Sequence, residues 1–157
     1  MKFCFNRIII LFLFSGFFVI AQPIKVSTID EYNSAIKQIS NGGTIVLKNG
    51  VWKDVTINAY GSGTKQNPII VKAETPGKVL ITGDSSLNIY GTYVIVSGLW
   101  FKDGKTTKKH VVQFRKNSKV FAYNCRFTNS TISYFDAVDG ISNHWVDLYG
   151  KNNRVDH

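Results

Sequence analysis

Three stretches of this chain can be laid over one another: SLNIYGTYVIVSGLWF, VVQFRKNSKVFAYNCRF and WVDLYGKNNRVDH. Ile89, Phe114 and Leu148 then coincide as inward positions, and Val94, Val120 and Val155 as the start of the next strand. The overlay continues with Leu99 over Cys125 and Phe101 over Phe127. The turn between holds Gly91 in the first copy and Asn117 or Asn152–Asn153 in the others, residue types that tolerate a left-handed backbone. The spacing is 25 residues from Ile89 to Phe114 and 34 from there to Leu148, the difference being a longer loop. Repeats of this length, made of short strands, are coils whose strands stack on the equivalent strands of the next coil. The expected fold is therefore all-β, a parallel β-helix (solenoid).

The rest of the chain agrees with that reading. From Thr44 onward, Val-, Ile-, Tyr- and Phe-rich runs such as TIVLK, PIIVKA and YVIVSGLWF alternate with Gly, Asn, Asp and Pro. No two-residue Asn-Gly or Asp-Gly turn joins neighbouring strands of matched length, which argues against a simple meander. A β-sandwich is the alternative, and the repeat disfavours it. One amphipathic helix is expected, over Ser27–Ser40. Thr28 and Glu31 form a capping box, Ile29, Tyr32, Ile36 and Ile39 make an apolar stripe, and Gly42-Gly43 ends it. It is placed as the N-terminal cap, because a bare solenoid end exposes strand edges and core. The coil that begins at Trp145 is unfinished at His157, so the chain is expected to be a truncated piece.

Residues 1–21 read as a secretory signal peptide: MKFCFNR is a basic start, the run Ile8–Ile20 is apolar, and Ala21 suits cleavage before Gln22. That run is shorter than the roughly 20 residues a membrane-spanning helix needs, so no stable membrane anchor is expected after cleavage. The expected location is secreted or periplasmic, with residues 22–157 as the first part of one β-helix domain. Loss of Lys2 and Arg7 takes the 19 basic side chains to 17 against 10 acidic ones, a net +7. Cys4 is lost too, and Cys125 alone cannot form an internal disulfide. A basic exported surface fits an acidic polysaccharide better than nucleic acid.

Side chains alternate in and out along a strand. If Ile89, Phe114 and Leu148 point inward, then Tyr90, Arg115 and Tyr149 form one outer column, and Asn88, Gln113 and Asp147 a second. Rings to stack on sugars and a guanidinium for a carboxylate suit a carbohydrate groove, although a solvated sheet face has the same composition. Arg115 and Tyr149 are the chosen substrate contacts. Gln113 and Asp147 follow, Asp147 least, since its charge repels a polyuronate. The histidines His110, His144 and His157 lack metal-site spacing and read as surface or turn residues. DAVDG (136–140) offers too few oxygens for calcium and reads as a loop. YGSGTKQNP (60–68) precedes a strand and is no phosphate loop. Cys125 reads as a core residue.

The runs STIDEYNSAI, GGTIVLKNGVWKDV, NPIIVKAETPGKVLITGDSSLNIYG, YVIVSGLWFKDG and LYGKNNRVDH resemble polysaccharide lyase family six, the group of alginate lyases and chondroitinase B. The resemblance covers nearly all of residues 22–157. It implies a right-handed parallel β-helix. It also implies a β-elimination on a uronic-acid polymer, most often alginate, with calcium (Ca2+) neutralising the uronate carboxylate, a lysine base and an assisting arginine. None of the family's metal or catalytic motifs matches a position here, so those residues are expected beyond His157. No catalytic or metal role is assigned within the chain. A non-catalytic polysaccharide-binding β-helix and a dermatan sulfate lyase are the alternatives.

Overall fold

The computed structural model describes residues 22–157; the signal-peptide reading of residues 1–21 lies outside them. After β1 (Ile24–Val26) comes helix α1 (Ile29–Gln38), shorter at both ends than the sequence suggests. The Thr28 hydroxyl accepts from the Glu31 N–H, as a capping box requires. The Glu31 carboxylate reaches back one residue further than expected, accepting from the Ser27 N–H at 2.6 Å. Tyr32, Ala35, Ile36 and Ile39 are buried against the first strands, and the Tyr32 hydroxyl donates to the Asn58 carbonyl at 2.9 Å. The helix therefore caps the N-terminal end.

The chain then winds through four coils, each contributing to the same three sheets. The first holds β2 (Gly43–Leu47), β3 (Gly50–Lys53) and β4 (Thr56–Ser62). The second holds β5 (Ile69–Ala73), β6 (Val79–Gly83) and β7 (Ser86–Thr92). The third holds β8 (Val94–Ser97), β9 (Leu99–Thr106) and β10 (His110–Gln113), and closes with the short β11 (Ala122–Tyr123). The fourth holds β12 (Arg126–Thr128), β13 (Thr131–Ala137), β14 (His144–Asp147) and β15 (Gly150–Lys151), and β16 (Arg154–Asp156) opens the next.

Every strand pair is parallel, giving three sheets: β1-β2-β5-β8-β12-β16, β3-β6-β9-β13, and β4-β7-β10-β14 with β11 and β15 at its end. This is the parallel β-helix. Its core is a set of ladders, among them Ala59, Ile89 and Phe114 from the third sheet and Val71, Val96 and Phe127 from the first. All of these are essentially buried. Together with the longer side chains around them they fill the coil interior, the dominant stabilising term for such a fold.

The register corrects the overlay in its second half. Ile89, Phe114 and Leu148 do share a ladder. Beyond it, Gly91 faces Ala122, which faces Gly150, and Val96 faces Phe127, which faces Val155. Val94 therefore matches Cys125, not Val120, and Phe101 pairs with Ile132, not Phe127. The cause is an excursion over residues 115–121 in the third coil, where the other coils spend a single residue (Tyr90 or Tyr149). Arg115 and Phe121 bridge antiparallel at its neck, and the Asn117 side chain accepts from the Lys119 and Val120 N–H groups at its tip. The turn residue expected at Asn117 belongs to this excursion. The equivalent corner residues are Tyr93, Asn124 and Asn152, all left-handed, with φ of 51°, 55° and 57°.

Candidate polyanion-binding face

The third sheet carries the candidate site on its outer surface, because alternation along β4, β7, β10 and β14 sends every second side chain outward. Its inner column is an amide ladder. Asn88 donates through Nδ2 to Asn58 Oδ1 at 2.9 Å, and Gln113 donates through Nε2 to Asn88 Oδ1 at 2.7 Å. Each amide is held by the one before it, so the column is ordered without burying a charge. Beside it, Tyr60 and Tyr90 stack with ring centroids 5.1 Å apart and planes 2° off parallel. In water, flat rings in this arrangement present an apolar step on an otherwise polar face.

Arg115 stands where the excursion leaves the sheet. Its Nε donates to Gln113 Oε1 at 3.3 Å, and its guanidinium lies 3.7 Å over the Tyr149 ring. The next residue, Lys116, holds its ammonium 6.0 Å from the Tyr90 ring. The structure thus brings Arg115, Tyr149 and Gln113 together as the sequence places them. Lys116 was not anticipated, because its position over Tyr90 depends on the excursion. Asn33, Lys37, Asn58, Tyr60, Tyr90 and Lys116 line a cleft of about 370 Å³ between the helix and this face. Two lysines at its rim give it positive charge.

Asp147 has different company from what the sequence suggests. Its Oδ2 lies 2.5 Å from His110 Nδ1, its Oδ1 3.0 Å from His144 Nδ1, and the Tyr149 hydroxyl donates to it at 3.3 Å. Burial works against the carboxylate, but the His144 hydrogen bond and both imidazoles hold it below the ordinary aspartate range. The reading of His110 and His144 as isolated surface or turn residues is therefore corrected: β10 and β14 pair in register His110 to His144, and the rings lie 5.9 Å apart. The overlay already set His110 two residues before Val112 and His144 two before Val146; that signal was there to be used. His157 takes no part.

With Asp147 these histidines make the one group of three or more His, Cys, Asp or Glu side chains with convergent ligand atoms among the described residues. Two nitrogens and one carboxylate do not fit calcium, which takes about six to eight oxygens. Of the stretch 136–140 expected as a loop, Asp136 and Ala137 are the end of β13, paired with Lys105 and Thr106, and only residues 138–140 form the loop; Asp139 there reaches toward Lys105, at 3.9 Å. Cys125 is buried, and burial pushes its thiol up, as befits a core position.

A family model described as chondroitinase B matches residues 26–157. Among solved structures, the PL6 family alginate lyase AlyGC is 38% identical with a TM-score of 0.81, over 85% of this chain and 19% of that one. A mannuronic acid specific family 6 polysaccharide lyase from human gut microbiota is 31% identical with a TM-score of 0.72, over 86% and 33%. The PL6 family polysaccharide lyase Pedsa3628 from Pseudopedobacter saltans is 34% identical with a TM-score of 0.69, over 84% and 30%. The chain therefore spans between a fifth and a third of the length of these lyases. No curated protein matches.

Proposed function

Because the chain belongs to the chondroitinase B family, the polysaccharide lyases of family 6, we propose that the full-length protein is an exported lyase that cleaves a uronic-acid polymer by β-elimination. The family match across residues 26–157 carries this reading. Alginate is the favoured substrate, since AlyGC is an alginate lyase and the gut enzyme is mannuronic acid specific. The name of the matching family model favours dermatan sulfate as the second substrate to try. Calcium is the proposed cofactor, with ligands outside residues 22–157, since the acidic groups described above do not suit it.

Within this chain the proposed work is binding, away from the reacting bond. The Arg115 guanidinium, fixed between Gln113 and the Tyr149 ring, meets a uronate carboxylate, and the Tyr60–Tyr90 step supports a sugar ring. Because its coils make up only part of a lyase, the 157-residue chain by itself is proposed to turn over no polymer.

The test is unsaturated-uronate formation by the full-length protein on poly-mannuronate, poly-guluronate and dermatan sulfate. Product from either alginate block, lost with chelator and restored by calcium, is expected; no unsaturated product from any of the three would sink the lyase reading. Arg115→Ala should raise KM on the preferred polymer about tenfold with kcat changed far less, the cost of one charge-assisted bond to substrate. A kcat loss at unchanged KM would place Arg115 elsewhere in the mechanism.

A further inference from the structure

We propose that His110, His144 and Asp147 form a binding site for one divalent transition-metal ion of the zinc class, clamping the third coil to the fourth. The site comes from the register: β10 and β14 run parallel with His110 opposite His144, and Asp147 follows on the same strand as His144. The three ligand atoms lie within 4.8 Å of one another. Two imidazole nitrogens and one carboxylate oxygen are the donor set that zinc and its neighbours favour over calcium or magnesium.

A second observation points the same way. His110 Nδ1 is buried, with only 10% of the side chain exposed, and lies 2.5 Å from Asp147 Oδ2. Despite that distance the nitrogen has no hydrogen-bond partner. A buried imidazole nitrogen left so is costly. A cation between nitrogen and carboxylate removes that cost, because both would offer it lone pairs.

Bonds of about 2.0–2.2 Å put tetrahedral ligands about 3.3–3.6 Å apart, so His110 and Asp147 need to separate by about an ångström. His144, with half its side chain exposed, has room to follow and leaves a fourth position open to water. Arg115 and Lys109 are the opposing charges nearby, and the Arg115 guanidinium is turned onto Tyr149. The inference does not rest on the lyase reading, and its test does not read activity.

The full chain, stripped with chelator, is titrated with Zn2+ and separately with Ca2+ by calorimetry, and its melting is followed with and without Zn2+. One Zn2+ per chain is expected, counted per chain whether or not the protein self-associates, with a higher Tm and no comparable calcium heat. His144→Ala and the near-isosteric Asp147→Asn should both abolish the stoichiometric binding and the Tm rise, while His157→Ala keeps them. Cobalt substitution should give the visible bands of a low-symmetry nitrogen–oxygen site. Absence of stoichiometric Zn2+ uptake by the unaltered chain, or uptake and Tm rise unchanged in folded His144→Ala and Asp147→Asn, would overturn the proposal.

Discussion

Asp84 shows what a single carboxylate does for a corner of the solenoid. It accepts from the Thr106 hydroxyl at 3.1 Å, the Thr107 N–H at 2.9 Å and the Thr107 hydroxyl at 2.6 Å, while its own N–H donates to Asp54. It thereby ties the second coil to the end of β9. These bonds, the Thr107 hydroxyl first, hold Asp84 below its ordinary value of 3.8. A carboxyl lowered on folding contributes stability that is fully present above its unfolded value and is lost as pH falls through the folded one. Denaturant midpoints measured from pH 6 down to about 2 should therefore fall less steeply for Asp84→Asn than for the unaltered chain. Parallel curves would remove this carboxylate from the acid limb of stability.

At the scale of elements, the strands are legible because a period of two needs no knowledge of what lies opposite. The inward ladder of Ile89, Phe114 and Leu148 followed from that alternation together with the overlay of the three stretches. What lay across a loop did not. The excursion at residues 115–121, RKNSKVF, runs from five polar residues into Val120 and Phe121, which look like the start of the next strand, so the overlay slipped by five residues from there on. The His110–His144–Asp147 group was hidden differently, by a spacing of 34 residues that matches no local motif and becomes a contact only through parallel pairing. Close stacking also fixes where side chains are forbidden. Gly91 has φ of 91°, and a Cβ there would lie 2.1 Å from the Gly61 carbonyl oxygen of the coil below. Gly91→Ala should cost at least about 2 kcal/mol, from the left-handed backbone and the clash together, as read by chemical denaturation. A loss below about 0.5 kcal/mol would mean the corner relaxes freely.

For the molecule as a whole, stability accumulates coil by coil, and each coil relies on the next to cover it. Ladder positions that are buried in the middle coils are open in the last: Leu148 is 56% exposed against none for Ile89 and Phe114, and Val155 43% against 3% for Phe127. Trp145 adds half of its surface nearby. Residues 22–157 expressed alone should therefore self-associate through this end at micromolar concentration, and Leu148→Lys with Val155→Lys should weaken the association. Sedimentation of the segment as a monomer at tens of micromolar would contradict this. The excursion over residues 115–121 carries a separate consequence. Since pairing resumes undisturbed after it, the distance around a turn is free to vary while the rise along the axis stays fixed. Such a scaffold can lengthen the rim beside its polar face, residue by residue, and so alter what that face grips without renegotiating a single contact in its interior.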